Sequence, residues 1–175
     1  MRMYATVFGT LTLALGLGGW SVAQDAPPKS TPPKACSAPE NRQFDFWLGE
    51  WNVTNPKGAR AGSNRITAEE GGCVLHEHWS GAKGGTGQSF NLYDTTDGKW
   101  HQIWVDNQGG LLQLAGGIVD GKMVLEGPGR SPSGDPIVNR IVWEKLDGGK
   151  VRQTWTVSKD EGKTWTTSFD GTYSK

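Results

Sequence analysis

From Trp51 onward, apolar and polar residues alternate in short runs, and each run ends at turn-forming residues. Period-two alternation is the signature of a strand with one buried face. The pattern predicts strands over 50–55, 62–69, 73–80, 87–94, 99–106, 110–118, 121–126, 137–146, 150–158 and 163–173. Asp97-Gly98, Asn107 to Gly110, Asp120-Gly121 and Asp147 to Gly149 read as hairpin turns, because glycine accepts positive φ without a Cβ clash. The Gly- and Pro-rich stretch 127–136 reads as the one long connection. Ahead of the strands, Phe44, Trp47 and Leu48 recur at helical spacing, which predicts a short turn ended by Gly49. After residue 49 no segment has the period of an ordinary helix. Ten antiparallel strands in a flat sheet would leave exposed edges, and closure removes them. The expected fold is therefore all-β: an up-and-down antiparallel barrel of about ten strands, with a short N-terminal helical turn.

The same alternation sorts the two faces. One set holds Leu75, Glu77 and Trp79; Trp100, Gln102, Trp104 and Asp106; Ile141 and Trp143; Val151, Gln153, Trp155 and Val157; and Trp165, Thr167 and Phe169. Six of the nine tryptophans fall in it. Large aromatics seek burial, so this set is assigned to the barrel interior. His76, His78, His101 and Arg152 then face outward.

Composition changes the picture at the N-terminus. Arg2 precedes an apolar stretch from about Tyr4 to Gly19, and Ser21-Val22-Ala23 places small residues at cleavage-site positions. Residues 1–23 are read as a signal peptide; the alternative is an uncleaved anchor. Residues 24–39 carry five prolines and little to bury, and are expected to form an extended, disordered leader. The barrel is placed at 40–175. Of the 18 basic residues only Arg2 lies in the first 23, leaving 17 against 18 acidic ones. Such a balanced chain without a basic run has no electrostatic footprint for nucleic acid or an anionic membrane. Cys36 and Cys73 are the two cysteines, and an exported chain meets an oxidising compartment, so a disulfide is expected; the competing reading is two unpaired thiols. Their spacing excludes a CxxC redox motif. A periplasmic or secreted protein follows, with no membrane insertion after signal cleavage. Asn52-Val53-Thr54 has the form of a glycosylation sequon, which matters only in a eukaryotic source.

Two segments carry a family resemblance. Phe44-Asp45-Phe46-Trp47-Leu48-Gly49-Glu50-Trp51 resembles the opening of a family of secreted bacterial lipocalin-like proteins of unknown function, and its Gly49-x-Trp51 is similar to the first strand of calycin barrels. Trp100-x-Gln102-x-Trp104-x-Asp106 and Arg152-Gln153-x-Trp155 fit the same family. The resemblance spans about residues 40–174. It implies a barrel with a central pocket and brings no activity with it. Related haem-binding barrels of the nitrobindin type need a ligating histidine late in the chain. Here none follows His101, so no haem or other cofactor is expected.

Several constellations bear on chemistry. Ser158-Lys159-Asp160-Glu161-Gly162-Lys163-Thr164-Trp165 matches the Asp-box pattern of sialidase propellers, but a propeller needs several copies. A single copy reads as a hairpin fastener. His76-x-His78 has metal-like spacing, with His101 as a conceivable third zinc ligand, yet all three alternate with the inward set, so no metal site is assigned. Glu77 and Asp106 are the inward carboxylates. They either anchor a ligand, act as an acid–base pair, or are neutralised by Arg140, Lys150 or Arg152. Gln102, Gln153 and Asn139 interleave with the tryptophans, and inward polar groups among aromatic walls fit a pocket better than a dry core.

The expected function is non-enzymatic binding of a small flat hydrophobic or sugar-like molecule. Its candidate site is Glu77, Trp79, Gln102, Trp104, Asp106, Trp143, Gln153 and Trp155, in a cavity open at one barrel end. The alternatives are a cofactor-free hydrolase or isomerase using Glu77 and Asp106, and a solid structural envelope domain. No Ser-His-Asp arrangement, phosphate loop or dinucleotide fingerprint can be picked out to favour an enzyme.

Overall fold

The computed structural model describes residues 34–175; the signal-peptide reading of 1–23 and most of the Pro-rich leader lie outside them. Two 3-10 helical turns, Pro39–Arg42 and Asp45–Trp47, lead into ten strands. These are β1 (Gly49–Thr54), β2 (Arg60–Glu69), β3 (Val74–Gly81), β4 (Thr86–Asp94), β5 (Lys99–Asp106), β6 (Leu111–Val119), β7 (Lys122–Arg130), β8 (Pro136–Lys145), β9 (Val151–Ser158) and β10 (Thr166–Ser174). Each strand pairs antiparallel with the next, and β1 pairs with β10 through Asn52–Ser174, Val53–Tyr173 and Thr54–Thr172, which closes the barrel. Closure satisfies the edge amides and carbonyls that an open sheet of this composition would expose.

Local chemistry explains the meander. At the β6–β7 hairpin both central residues have positive φ, Asp120 at 49° and Gly121 at 77°, the two-residue turn whose twist matches antiparallel strands. Strand β7 continues through Gly127, Pro128 and Gly129, where the sequence pattern predicts a loop. It pairs there with β8 only; its ladder with β6 stops at Glu126 opposite Ala115. Pro128 has no N–H to offer a ladder, so it is tolerated beside this one-sided stretch. The β6–β7 seam is thus unzipped at one end of the barrel.

The barrel has two unlike ends. At one, the 3-10 turns lay Phe44 and Trp47 across the opening as a stacked pair, with centroids 5.0 Å apart. Trp143 meets Phe44 edge-on at 5.0 Å, Trp100 meets it at 5.6 Å, and Tyr173 meets Trp47 at 6.3 Å. Phe44, Trp47, Trp100 and Trp143 are fully buried. The Trp51 indole donates to the Trp47 carbonyl at 2.8 Å, and the Trp100 indole to the Glu40 carbonyl at 3.2 Å. A disulfide between Cys36 and Cys73, with Cα atoms 5.1 Å apart, ties this plug to the residue just before β3. The Arg42 guanidinium donates to the Gly72 carbonyl beside it.

The inward assignment of the alternating set holds along β3, β5, β8 and β9. Leu75, Glu77, Trp100, Gln102, Ile141, Trp143 and Val151 are buried, whereas Ile103 and Arg152 are exposed. Trp165 and Thr167 are the exceptions. Strand β10 carries a bulge: Thr167 pairs with Thr156 and Phe169 with Trp155, leaving Ser168 unpaired. One extra residue reverses the parity on its far side. Phe169 therefore faces in, while Trp165 lies outside under the Arg140 guanidinium, 3.9 Å from its ring centroid.

Candidate functional site

At the end away from the plug, the interior widens into a cavity. A cavity of about 200 Å3 is lined by Glu77, Trp79, Trp104, Leu112, Ile141, Gln153, Trp155, Ser168 and Phe169. Four aromatic side chains form its walls. Their seats are prepared by glycine: a Cβ built at Gly87 on β4 would collide with the Trp104 indole, and one at Gly62 on β2 with that of Trp79. Trp79 also meets Phe169 edge-on, with centroids 5.8 Å apart. The Trp155 indole donates to Asn139 Oδ1 at 3.0 Å, which fixes its ring plane. Beyond the lip, Trp104, Leu112, Trp155 and Ser168 also border a wider depression reaching the unzipped β6–β7 seam, with Asp106, Gly129, Arg130 and Asn139 on its far side.

The cavity floor is polar. Asn64 Nδ2 donates to Glu77 Oε1 at 2.7 Å, and Ser89 Oγ donates to Glu77 Oε2 at 2.6 Å. Ser89 Oγ itself accepts from Asn91 Nδ2 at 2.9 Å and Gln102 Nε2 at 3.4 Å, while Asn91 Oδ1 accepts from Gln102 Nε2 at 2.9 Å. The Tyr173 hydroxyl donates to Gln153 Oε1, which faces the cavity. Burial pushes the Glu77 carboxyl up to about 7, against the opposing pull of the bonds from Ser89 and Asn64 and of His76. Burial and the neighbouring Glu77 raise the Tyr173 phenol well above its ordinary range.

Of the residues that sequence reasoning placed in the site, Glu77, Trp79, Trp104, Gln153 and Trp155 line this cavity. Three do not. Gln102 is inward but sits one layer deeper, 2 % exposed and committed to Asn91 and Ser89. Trp143 belongs to the plug, against Phe44 and Trp47. Asp106 closes the β5–β6 turn, accepting from Gly110 N at 2.8 Å and Gln108 N at 2.9 Å. Those backbone amides hold its carboxyl below the usual range. Asp106 therefore lies on the adjoining depression and not among the residues that line the cavity with Glu77. Nor do the arginines offset them: Arg140 pairs with Glu126 at 2.5 Å and Arg152 with Asp170 at 2.7 Å, both on the outer face. Strand parity shows which residues point inward, but not how deep in the barrel each one lies.

Sequence reasoning missed Asn64, Ser89, Leu112 and Ser168, and left Phe169 out of the candidate site. Asn64 and Ser89 stand on strands β2 and β4, whose inward positions include small and polar residues that give no aromatic signal. Phe169 was in the inward set, but its place at the lip depends on the bulge.

The histidines lie outside. His76 and His78 have ring centroids 4.0 Å apart, and His76 Nδ1 is 3.1 Å from the Glu69 carboxylate. His101 bonds Asp97 Oδ2 at 3.0 Å in a separate group on the β4–β5 side. The Asp-box residues fasten the β9–β10 hairpin. Asp160 Oδ1 accepts from Thr164 N at 2.8 Å, Ser158 Oγ accepts from Gly162 N at 2.8 Å, and the Trp165 indole donates to the Gly162 carbonyl at 3.0 Å. The bonds from Thr164 and Ser158 bring the Asp160 carboxyl down to about 2.

Among the described residues no helix is long and apolar enough to cross a membrane. No model of a known protein family matches the chain, and a comparison with curated proteins finds no match.

Proposed function

We propose that this barrel binds a small, flat, largely apolar molecule in its aromatic cavity and does so without catalysis. The observation that carries the reading is the contrast between the two ends: one is plugged by Phe44 and Trp47, while the other holds a cavity of about 200 Å3 between four aromatic rings. Empty apolar space forfeits dispersion contacts, so a filled barrel would be the more stable product of the same fold. A dry cavity of about 150 Å3 suffices for a benzene-sized guest, which sets the scale of the ligand. Apolar walls with polar groups confined to Glu77, Gln153 and Ser168 favour a flat ring over a sugar, whose many hydroxyls would find too few partners.

The resemblance to secreted lipocalin-like proteins supports the same reading, as does the Cys36–Cys73 disulfide, which suits an oxidising compartment outside the cytoplasm. The acid–base reading is less favoured, because Asp106 lies on the adjoining depression with its carboxylate bonded to the Gln108 and Gly110 amides of the β5–β6 turn.

Ligand-observed NMR with p-xylene tests the proposal. Saturable binding is expected for the native chain. A Ser168→Trp variant should abolish it, because Ser168 is an exposed bulge residue at the lip and an indole there fills the mouth without disturbing the core. Absence of saturable binding to the native chain would overturn it.

A further inference from the structure

We propose that the cavity selects an organic cation, a quaternary or alkylated ammonium carried on a small ring or short apolar group, with its charge held between Glu77 and the aromatic rings of Trp79, Trp104, Trp155 and Phe169. This rests on the pocket reading above and names the chemical class of its ligand.

The first argument is the isolation of Glu77. Among the described residues it is the only ionisable side chain lining the cavity, and no lysine, arginine or histidine forms an ion pair with it; it is 4 % exposed. A carboxylate removed from water without a counter-charge is costly. A protein that only needed an apolar pocket would place a leucine or glutamine there.

The second argument is the direction of the hydrogen bonds. Ser89 has one proton. Its oxygen accepts from Asn91 Nδ2 and Gln102 Nε2, so that proton is given to Glu77. Asn91 and Gln102 are themselves oriented: Asn91 Nδ2 also donates to the Leu75 carbonyl at 3.1 Å, and Asn91 Oδ1 accepts from Gln102. Asn64 presents its amide nitrogen, not its oxygen, to Glu77. Two neutral side chains, Asn64 on β2 and Ser89 on β4, thus donate to the one carboxyl group, and Asn91 and Gln102 fix the direction of the Ser89 hydroxyl. Such an arrangement is complementary to the ionised form, since a carboxylate accepts at both oxygens and keeps further lone pairs free for a ligand.

The third argument is the wall. Aromatic faces are the negative side of the ring quadrupole and attract cations that have lost part of their hydration. Three indoles and a phenyl ring beside one carboxylate supply both kinds of attraction to a bulky, weakly hydrated ammonium. A strongly hydrated inorganic ion would lose its water here and find too few oxygens in return.

The pH behaviour follows. Burial lifts Glu77 to about 7, so on the acid side of that value the free protein holds a proton there which a cation must expel. The titratable groups nearest to it are Tyr173, facing it from β10, and His76, on the outer face of its own strand; Asn64, Ser89 and Gln153 on the other flanking strands carry no charge. Cation affinity is therefore expected to fall by up to about tenfold per pH unit below neutrality.

Phenyltrimethylammonium and its neutral isostere tert-butylbenzene provide the test, with binding read by quenching of tryptophan fluorescence between pH 5 and 8. The expected result is tighter binding of the cation at pH 8, a loss of that preference toward pH 5, and a drop on the order of 30-fold or more for the cation alone in Glu77→Gln. The comparison of the two compounds on the native chain needs no variant, so it stands even if Glu77→Gln folds poorly. Equal or tighter binding of tert-butylbenzene, independent of pH, would overturn the cation assignment and leave the pocket reading intact. Failure of both compounds to bind would overturn both.

Discussion

Glu77 and Gln102 are two polar residues on the same face of neighbouring regions of the sheet, yet they have different jobs. Glu77 lines the cavity and accepts from Asn64 and Ser89, while Gln102 spends its amide on Asn91 and Ser89. Replacing Gln102 with Leu should therefore destabilise the barrel by about 1–3 kcal/mol, the cost of leaving Asn91 Oδ1 without its donor in a buried layer. Urea unfolding would show it as a lower midpoint at unchanged slope. Glu77 makes stability depend on pH in the opposite sense from most acids. Its carboxyl titrates at an ordinary value of 4.5 in the unfolded chain and at about 7 in the barrel, so between these values the native state holds a proton that the unfolded state has released. The stabilisation is fully present below 4.5 and is lost as pH rises through about 7. It amounts to something on the order of 3 kcal/mol. Chemical unfolding at a series of pH values should reveal this decline in the native chain, and Glu77→Gln should flatten it.

Elements set where the aromatic rings stand. Trp104 lies over Gly87 on the paired strand β4, so β4 and β5 together make the wall that neither makes alone. A methyl group at Gly87 would strike both the indole and the Val105 carbonyl. Gly87→Ala should cost about 1–3 kcal/mol through overpacking and should turn the Trp104 ring into the cavity. Loss of p-xylene binding alongside a changed near-ultraviolet circular dichroism spectrum would be the matching observation; unchanged binding would show that Trp104 is not seated in this way. The bulge at Ser168 acts in the same manner on a different strand. It turns Phe169 inward and sends Trp165 to the outer face, where Arg140 covers it.

At the scale of the whole molecule, one cross-link ties down the closed end. The chain between Cys36 and Cys73 spans 37 positions and includes the plug, β1 and β2. Closing a loop of that length lowers the entropy of the unfolded chain by an amount equivalent to about 4 kcal/mol. Reduction, or a double Cys36→Ala, Cys73→Ala variant, should lower the urea midpoint accordingly. It should also raise hydrogen exchange at the Trp100 and Trp51 indole N–H groups, whose acceptors are the Glu40 and Trp47 carbonyls of the plug. Unchanged exchange there would show that aromatic packing alone holds the plug in place. The cavity end should be unaffected in either case, because none of its lining residues belongs to the cross-linked segment's 3-10 turns.

The sequence by itself determined the class of fold, the run of strands and the inward face of most of them. Period-two alternation and glycine turns are local properties, and a closed barrel is the cheapest way to satisfy so many strand edges. It also contained the cross-link, since two cysteines leave a single pairing within the chain. Only the tertiary structure decided depth. Glu77, Gln102 and Trp143 are alike in parity, but strand tilt and register put the first beside the cavity, the second beneath it and the third in the plug. The same holds for the β10 bulge and the unzipped β6–β7 seam, which arise from pairing between segments rather than from either segment alone. Alternation has a period of two residues and carries no coordinate along the barrel axis. That coordinate comes from how the strands meet around the barrel, and it is what separates a ligand site from a core.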